Sequence, residues 1–352
     1  MPTPVPPPAL PPTIAWRGGA DGHLELLDQT RLPHEQHVLE IHSVEQAIDA
    51  IVRLCVRGAP AIGVAAGYGL VLGVRNASPG AAAFLDVVRD VAGRLTASRP
   101  TAVNLKAAID RCVVAVAAEP TLERLFREVQ AIHAEDVESC QSIGQHGRDL
   151  VKAGATVLTH CNTGRLATAG EGTALAVLFA AWRAGVRFRV LANETRPLLQ
   201  GTRLTALELA AEGIPVEVIV DGAAAGLIAR GQVNLVLVGA DRIAANGDFA
   251  NKVGTYGLAL ACAAHRVPFY VAAPVSTFDL EAASGDAMPL EQRDATEVLT
   301  LGGQVLARPG LGARNPAFDI TPGRLVRGFI TDLGVLEPPF VPVIKTMLSA
   351  RR

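Results

Sequence analysis

In the second half of the chain, short runs of apolar β-formers alternate with polar clusters and with longer stretches whose apolar residues recur at helical spacing. The strand-like runs are Thr156 to Thr159, Arg187 to Leu191, Val216 to Val220, Leu235 to Val238 and Phe269 to Ala272. Between and after them, Thr173 to Trp182, Leu204 to Ala211, Ala223 to Arg230 and Lys252 to His265 read as helices. This alternation predicts βαβ units and a parallel sheet with helices on both faces. The run Leu235-Val236-Leu237-Val238 is apolar at every position, as a strand covered on both faces requires. Five runs stop at polar clusters: His160-Cys161-Asn162-Thr163-Gly164, Asn193-Glu194-Thr195-Arg196, Asp221-Gly222, Gly239-Ala240-Asp241-Arg242 and Ala273-Pro274-Val275-Ser276-Thr277. The carboxyl ends of the strands of an open parallel sheet line one crevice, where such folds bind ligands.

The first half has a different rhythm. Thr13 to Trp16 and His23 to Leu27, with Gly18 and Gly19 between them, read as a small hairpin. Long helical periods follow at Ser43 to Leu54, Ala59 to Arg75, Gly80 to Ala97, Val103 to Ala118 and Thr121 to Ala153. The expected fold class is therefore α/β: a small, mainly helical N-terminal domain with a short β element, then a Rossmann-like parallel-sheet domain. The expected divisions are a disordered proline-rich tail at 1–12, the helical/β domain at 13–150 and the catalytic domain at 151–340. Residues 2 to 12 hold seven prolines and no basic group, which fits a solvated tail and neither a signal nor a transit peptide.

Composition narrows the function classes. The chain has 352 residues, 49% hydrophobic and 19% charged, enough for two cored domains. A net charge of -2 supplies no global field to gather nucleic acid or anionic lipid, so neither is expected as a partner. Five scattered cysteines without a C-x-x-C pair suggest neither a disulfide framework nor a zinc knuckle, and the expected location is the cytoplasm. The longest apolar stretch of the first half, Ala59 to Val74, is too short to span a bilayer. The eight histidines are dispersed, no metal-binding pattern occurs, and neither G-x-G-x-x-G after a strand nor a P-loop is present. The expectation is chemistry without a metal or cofactor.

Candidate chemistry lies at the strand ends. Cys161 reads either as a small buried hydrophobe or as a reactive thiol, and its polar neighbours favour the thiol. Asp241 reads either as a loop aspartate bonded to Arg242 or as a proton donor. To donate near pH 7 its pKa would have to rise by roughly 3 units, or about 4 kcal/mol, which burial can supply. Asn251 and Lys252, expected at a helix start, suit a phosphate or form a solvated turn. Arg57, Gly58 and Ala59 place an arginine at another helix start, and Arg99-Pro100-Thr101 is a weaker candidate of the same kind. Two such groups would let the first domain act as a lid.

These residues resemble the family that contains 5-methylthioribose-1-phosphate isomerase, archaeal ribose-1,5-bisphosphate isomerase and the regulatory subunits of translation initiation factor 2B. The matching segments are Arg57 to Gly63, Arg99-Pro100-Thr101 with Val103-Asn104-Leu105, His160 to Gly164, Asn193 to Thr205, Gly239 to Arg242 and Asn251-Lys252. Two further segments, Pro274 to Asp279 and Asn315 to Asp319, extend the resemblance, which runs from about Ile14 to Val335. It implies a homodimer that converts 5-methylthioribose 1-phosphate, an aldose, into 5-methylthioribulose 1-phosphate, a ketose, in methionine salvage. By the same resemblance, Asp241 is the general acid and Cys161 the second catalytic group. Arg57, Gly58, Ala59, Arg99, Gln200, Asn251 and Lys252 are the implied contacts to a small-molecule sugar phosphate. One departure stands out: isomerases of this type commonly carry Asp-Asn-Met-Ala where this chain has Asp221-Gly222-Ala223-Ala224. The alternatives are therefore an isomerase of 5-deoxyribose 1-phosphate or ribose 1,5-bisphosphate, and a non-catalytic regulatory subunit.

Overall fold

A computed structural model describes residues 10–77, 80–99 and 102–349. Residues 1–9 of the proline-rich tail expected at 1–12 fall outside them. The chain divides into two compact units, one built on residues 9–141 with 163–172, the other on 142–162 with 173–352.

The first unit opens with an antiparallel sheet of β1 (Ile14–Arg17), β2 (His23–Leu27) and β3 (Val38–Ile41), one strand more than the expected hairpin. Helices α1 (Val44–Val52), α2 (Ala59–Val74), α3 (Ala81–Ser98) and α4 (Val103–Ala118) follow, and α5 (Leu122–Gly147) runs on into the second unit. Helix α1 starts at a capping box in which Ser43 and Gln46 satisfy each other's backbone amides. Helix α2 is apolar all round, with nearly every residue from Ala61 to Val74 buried, and forms the centre of this unit's core.

In the second unit the alternating pattern yields β4 (Thr156–Thr159), α6 (Ala174–Arg183), β5 (Arg189–Asn193), α7 (Ala206–Ala211), β6 (Val216–Ile219), α8 (Ala224–Ala229) and β7 (Leu235–Val238). Strands β8 (Arg242–Ala244) and β9 (Phe249–Lys252), helix α9 (Thr255–His265), and strands β10 (Phe269–Ala272) and β11 (Phe278–Asp279) come next. Short α10 (Thr296–Leu299) leads to a hairpin of β12 (Thr300–Leu301) and β13 (Gln304–Val305). The unit closes with β14 (Phe318–Thr321), β15 (Gly328–Thr331), β16 (Gly334–Leu336) and α11 (Phe340–Ser349).

The main sheet has the order β16-β15-β10-β7-β4-β5-β6, with every pairing parallel except that of the edge strand β16. Numbered among themselves, the parallel strands run 3-2-1-4-5-6 from the β6 edge. The direction of winding thus reverses between β4 and β7. Alternate residues of each strand enter different cores. Val157, Val190, Leu235 and Leu237 pack with Leu175, Leu178 and Phe179 of α6. Leu158, Leu191, Val236 and Val238 pack with residues of α8, α9 and α11. Both faces are covered, which explains the unbroken apolar run at 235–238.

A second, four-stranded sheet in the order β11-β8-β9-β14 follows β7, and the strand-helix reading did not anticipate it. It corrects the expected helix at Lys252 to His265. Asn251 and Lys252 close strand β9, paired with Asp319 and Phe318 of β14, and the helix begins at Thr255. Among the described residues, no helix is long and apolar enough to cross a membrane.

Candidate active site

In an open α/β sheet the crevice forms where the winding reverses, outside the carboxyl ends of the strands. Here that point lies between β4 and β7, which pair directly through Val157 with Leu235 and Leu158 with Val236. Cys161 follows β4 and Asp241 follows β7, so the two residues singled out for catalysis stand beyond the ends of neighbouring strands.

Cys161 is held unusually. Its φ of +64° lies in the left-handed region, which costs a residue with a β-carbon roughly 1–2 kcal/mol. Both of its backbone polar groups are bonded by threonine hydroxyls. The N–H donates to Thr195 Oγ1 at 2.9 Å, and the carbonyl accepts from Thr205 Oγ1 at 2.7 Å. Thr195 also has a φ of +64°, and its hydroxyl donates to the Asn193 carbonyl at 3.0 Å. The Asp221 carboxylate accepts the amides of Thr195 and Arg196, each at 2.8 Å. Asn162 Nδ2 donates to Thr205 Oγ1 at 3.2 Å and to the buried carboxylate of Glu208 at 2.7 Å. Thr205 ends a π-helical turn, Gly201–Thr205, that precedes α7, a distortion often found at functional sites. Gly201 makes the turn feasible, because a β-carbon there would stand 1.6 Å from the Asn193 carbonyl oxygen. Of the five cysteines Cys161 alone is not buried. Burial pushes the thiols of Cys112, Cys140 and Cys262 up to about 12 and, with Asp28 nearby, that of Cys55 to about 11.

His160, buried beside Cys161, ties the β4 end to its neighbours. Its Nε2 lies 2.8 Å from the Val253 carbonyl, which can only accept, so Nε2 carries the proton. Nδ1 then accepts from Asn193 Nδ2 at 3.0 Å. Burial depresses the imidazole pKa, so this neutral form is the one the site favours. Three oxygens, Thr159 Oγ1 at the end of β4, Asn193 Oδ1 at the end of β5 and Gln200 Oε1, are buried without a hydrogen-bond partner among the described residues. Gln200 immediately precedes the π turn.

The Arg242 guanidinium bonds Asp279, through Nε at 2.7 Å and also through Nη2. The Asp241 amide donates to the Ala250 carbonyl at 2.9 Å, which ties this loop to β9. Buried Asn251 donates to Thr255 Oγ1 at 2.9 Å. Lys252 Nζ donates to the Ala317 carbonyl at 2.9 Å and lies 4.6 Å from the centre of the Phe318 ring. The N-terminus of α9, read from sequence as a phosphate site, is occupied by the Asp319 carboxylate. It accepts from Gly254 N at 2.7 Å and from Tyr256 N at 3.2 Å. Burial raises the Asp319 pKa against the pull of those amides.

The other candidates belong to the first unit. Arg57 precedes α2, Gly58 is its N-cap at a φ of +93°, and Ala59 is its first residue. A β-carbon at Gly58 would meet the Ala167 carbonyl oxygen at 2.5 Å, so the loop at 163–172 fits only against glycine. That loop is also held by Asp136, which accepts from Ala169 N at 2.6 Å, and by Gln29, which donates to the Leu166 carbonyl at 2.7 Å. Arg99 ends α3, and Pro100 and Thr101 lie outside the described residues. The structure brings Cys161, Gln200, Asp241, Asn251 and Lys252 into one unit, and Arg57, Gly58, Ala59 and Arg99 into the other.

Sequence reasoning placed Thr195 and Asp221 in polar clusters at strand ends without giving either a role, and it did not single out Thr205, Glu208 or Asp319. A carboxylate at 208 inside the apolar period of 204–211 was the one available signal.

The chain also matches a family model. Residues 55–338 match that of the Initiation factor 2 subunit family, and the chain belongs to this family. Its relatives include both enzymes and translation factors. A protein of Gemmatimonas aurantiaca named methylthioribose-1-phosphate isomerase is 54% identical over 345 residues, covering 96% of this chain and 97% of that protein. One of Moorella thermoacetica named 5-deoxyribose 1-phosphate isomerase is 49% identical over 343 residues, covering 96% and 97%. The crystal structure of 5-methylthioribose 1-phosphate isomerase from Pyrococcus horikoshii superposes with a TM-score of 0.89 at 40% identity, covering 97% of this chain and 96% of that one. The structure of translation initiation factor eIF-2B, subunit delta, from A. fulgidus gives 0.83 at 40% identity, covering 96% and 100%.

Proposed function

We propose that this chain is an aldose-ketose isomerase that converts 5-methylthioribose 1-phosphate into 5-methylthioribulose 1-phosphate, a step of methionine salvage. The observation that carries the reading is the placement of Cys161 and Asp241 beyond neighbouring strands at the reversal of winding. The names of relatives about half identical over nearly the whole chain give it a substrate. We read the chain as two domains, at 13–150 and 151–340, the second Rossmann-like and catalytic, working as a cytoplasmic homodimer. The 3-2-1-4-5-6 order supports the Rossmann-like reading.

Phosphorylation of the anomeric oxygen prevents ordinary hemiacetal ring opening, so the enzyme has to assist it. In the proposed reaction Asp241 protonates the ring oxygen as its bond to C1 breaks, leaving a hydroxyl at C4. C2 loses a hydrogen, C1 gains one, and the C2 hydroxyl gives up its proton to become the ketone. Oxidation at C2 balances reduction at C1 within one molecule, and no external redox partner is needed. Cys161 serves as the second catalytic group, as base or stabiliser of the transition state. Arg57, Gly58, Ala59, Arg99, Gln200, Asn251 and Lys252 are assigned to the substrate, whose phosphate supplies binding energy away from the reacting carbons. The partnerless Gln200 Oε1 supports its share of this role, since a buried polar atom favours a bonding partner.

A second reading keeps the chemistry and changes the 5-substituent to 5-deoxy. The name of the Moorella relative and the small residues at Gly222 and Ala223 favour it. An equimolar mixture of the 5-methylthio, 5-deoxy and 5-phospho sugar 1-phosphates decides between them. Consumption of the methylthio compound first supports the proposal, and consumption of either analogue first refutes it.

A further inference from the structure

We infer that Thr205 and Thr195 are positioning residues whose hydroxyls hold Cys161 in its left-handed conformation and thereby set how its thiol is presented. The importance of the thiol rests on the function proposed above, whereas the inference about its conformation does not.

The argument starts from the direction of the hydrogen bonds. Glu208 is buried and accepts from Asn162 Nδ2, which also donates to Thr205 Oγ1. An oxygen that accepts there has its own proton free, and Thr205 spends it on the Cys161 carbonyl. On the other side the Cys161 amide donates to Thr195 Oγ1, whose proton goes to the Asn193 carbonyl. Each hydroxyl is thus used once as acceptor and once as donor, and Cys161 is gripped at both of its backbone polar groups. Thr195 is fixed in turn, because Asp221 accepts its amide and that of Arg196. Both threonines are fully buried, so water does not replace a lost hydroxyl.

A left-handed non-glycine residue persists only where its surroundings over-determine it. Cys161 and Thr195, each with a φ of +64° and joined by a hydrogen bond, are two such residues in one network. The π turn is part of the device, since it places Thr205 at the Cys161 carbonyl. Serine and threonine both carry the required hydroxyl, whereas valine matches threonine in shape and carries none.

The test compares Thr205→Val, Thr205→Ser and Thr195→Val, each confirmed folded by circular dichroism and melting temperature. Cys161 is the one cysteine not buried, so iodoacetamide alkylation of the native protein, mapped by peptide mass, reads its thiol without any substrate. Isomerase kinetics are measured alongside. Expected for each valine variant is an alkylation rate changed by about five-fold or more and a kcat lower by about 10- to 100-fold, with KM within about three-fold of wild type. Thr205→Ser is expected to restore both readouts to within about two-fold. Wild-type alkylation in folded valine variants overturns the inference, whatever the kcat. So does a serine variant as impaired as the valine variant, which would assign the site to packing. If the wild-type protein converts no sugar phosphate, the proposed function fails while the alkylation comparison still decides the conformational claim.

Discussion

Cys161 is partly exposed and gripped from both sides, whereas the four buried cysteines carry thiols that burial holds in the neutral form. This contrast is what a dedicated thiol predicts, because the thiolate is the reactive species and burial in apolar surroundings suppresses it. Asp241 follows the neighbouring strand, and the guanidinium of Arg242 beside it bonds the Asp279 carboxylate. In the proposed reaction, removing either group would remove a proton-handling or charge-stabilising step, and neither side chain belongs to the fold's cores. Asp241→Asn and Cys161→Ser are each expected to lower kcat by about 10³-fold or more. The melting temperature is expected to stay within a few degrees of wild type. Stopped assays with circular dichroism check both expectations, and near-normal turnover in either variant would remove that residue from catalysis.

Among the elements, the π turn at Gly201–Thr205 reaches Cys161 directly, through the Thr205 hydroxyl. It depends on a backbone approach that only glycine permits, since a β-carbon at 201 would overlap the Asn193 carbonyl oxygen. Gly201→Ala is therefore expected to destabilise the protein by about 1–3 kcal/mol or more in urea unfolding. It should also lower kcat, because β5 and the Thr205 hydroxyl are displaced together. The regular part of this fold was legible in the sequence. The short runs of β-formers and the helical periods predicted β4, β5, β6, β7 and β10 and helices α6 to α9, and the polar clusters marked the strand ends where the proposed site lies. The second sheet was not legible. Its strands are two to four residues long and pair β9 with β14, distant in sequence, and periodicity over short windows does not encode such pairing. The same distance hid Asp319, whose carboxylate fills the α9 N-terminus that the sequence reading offered to a phosphate. Thr195 and Thr205 were hidden for a related reason. Their roles lie in bonds to the backbone of Cys161, 34 and 44 positions away, and a hydroxyl's partner has no signature in sequence.

At the scale of the whole molecule, the half-buried Asp136 and the buried His160 give stability opposite dependences on pH. Burial raises the Asp136 carboxyl from 3.8 to about 6, partly offset by the Ala169 amide. An acid raised on folding adds stability that is complete below 3.8 and is lost as the pH rises through about 6. His160 is depressed below 6.5, so its contribution is present above that value and is lost as the pH falls. Asp136→Asn keeps an acceptor for the Ala169 amide and cannot ionise. It is expected to stabilise the protein by about 1–2 kcal/mol more at pH 8 than at pH 4, relative to wild type, in paired urea melts. An effect that does not change with pH would show that Asp136 titrates near its ordinary value. The central claim, isomerisation of a sugar 1-phosphate at the carboxyl ends of β4 and β7, is tested most directly by NMR. Purified protein is incubated with 5-methylthioribose 1-phosphate, and the anomeric C1 proton and the phosphorus resonance are followed for wild type and Asp241→Asn. Expected is loss of the anomeric signal with stoichiometric appearance of the ketose C1 methylene in the wild type and almost none in the variant. An unchanged aldose spectrum with the folded wild-type protein would contradict the claim and favour the alternative of a non-catalytic regulatory subunit.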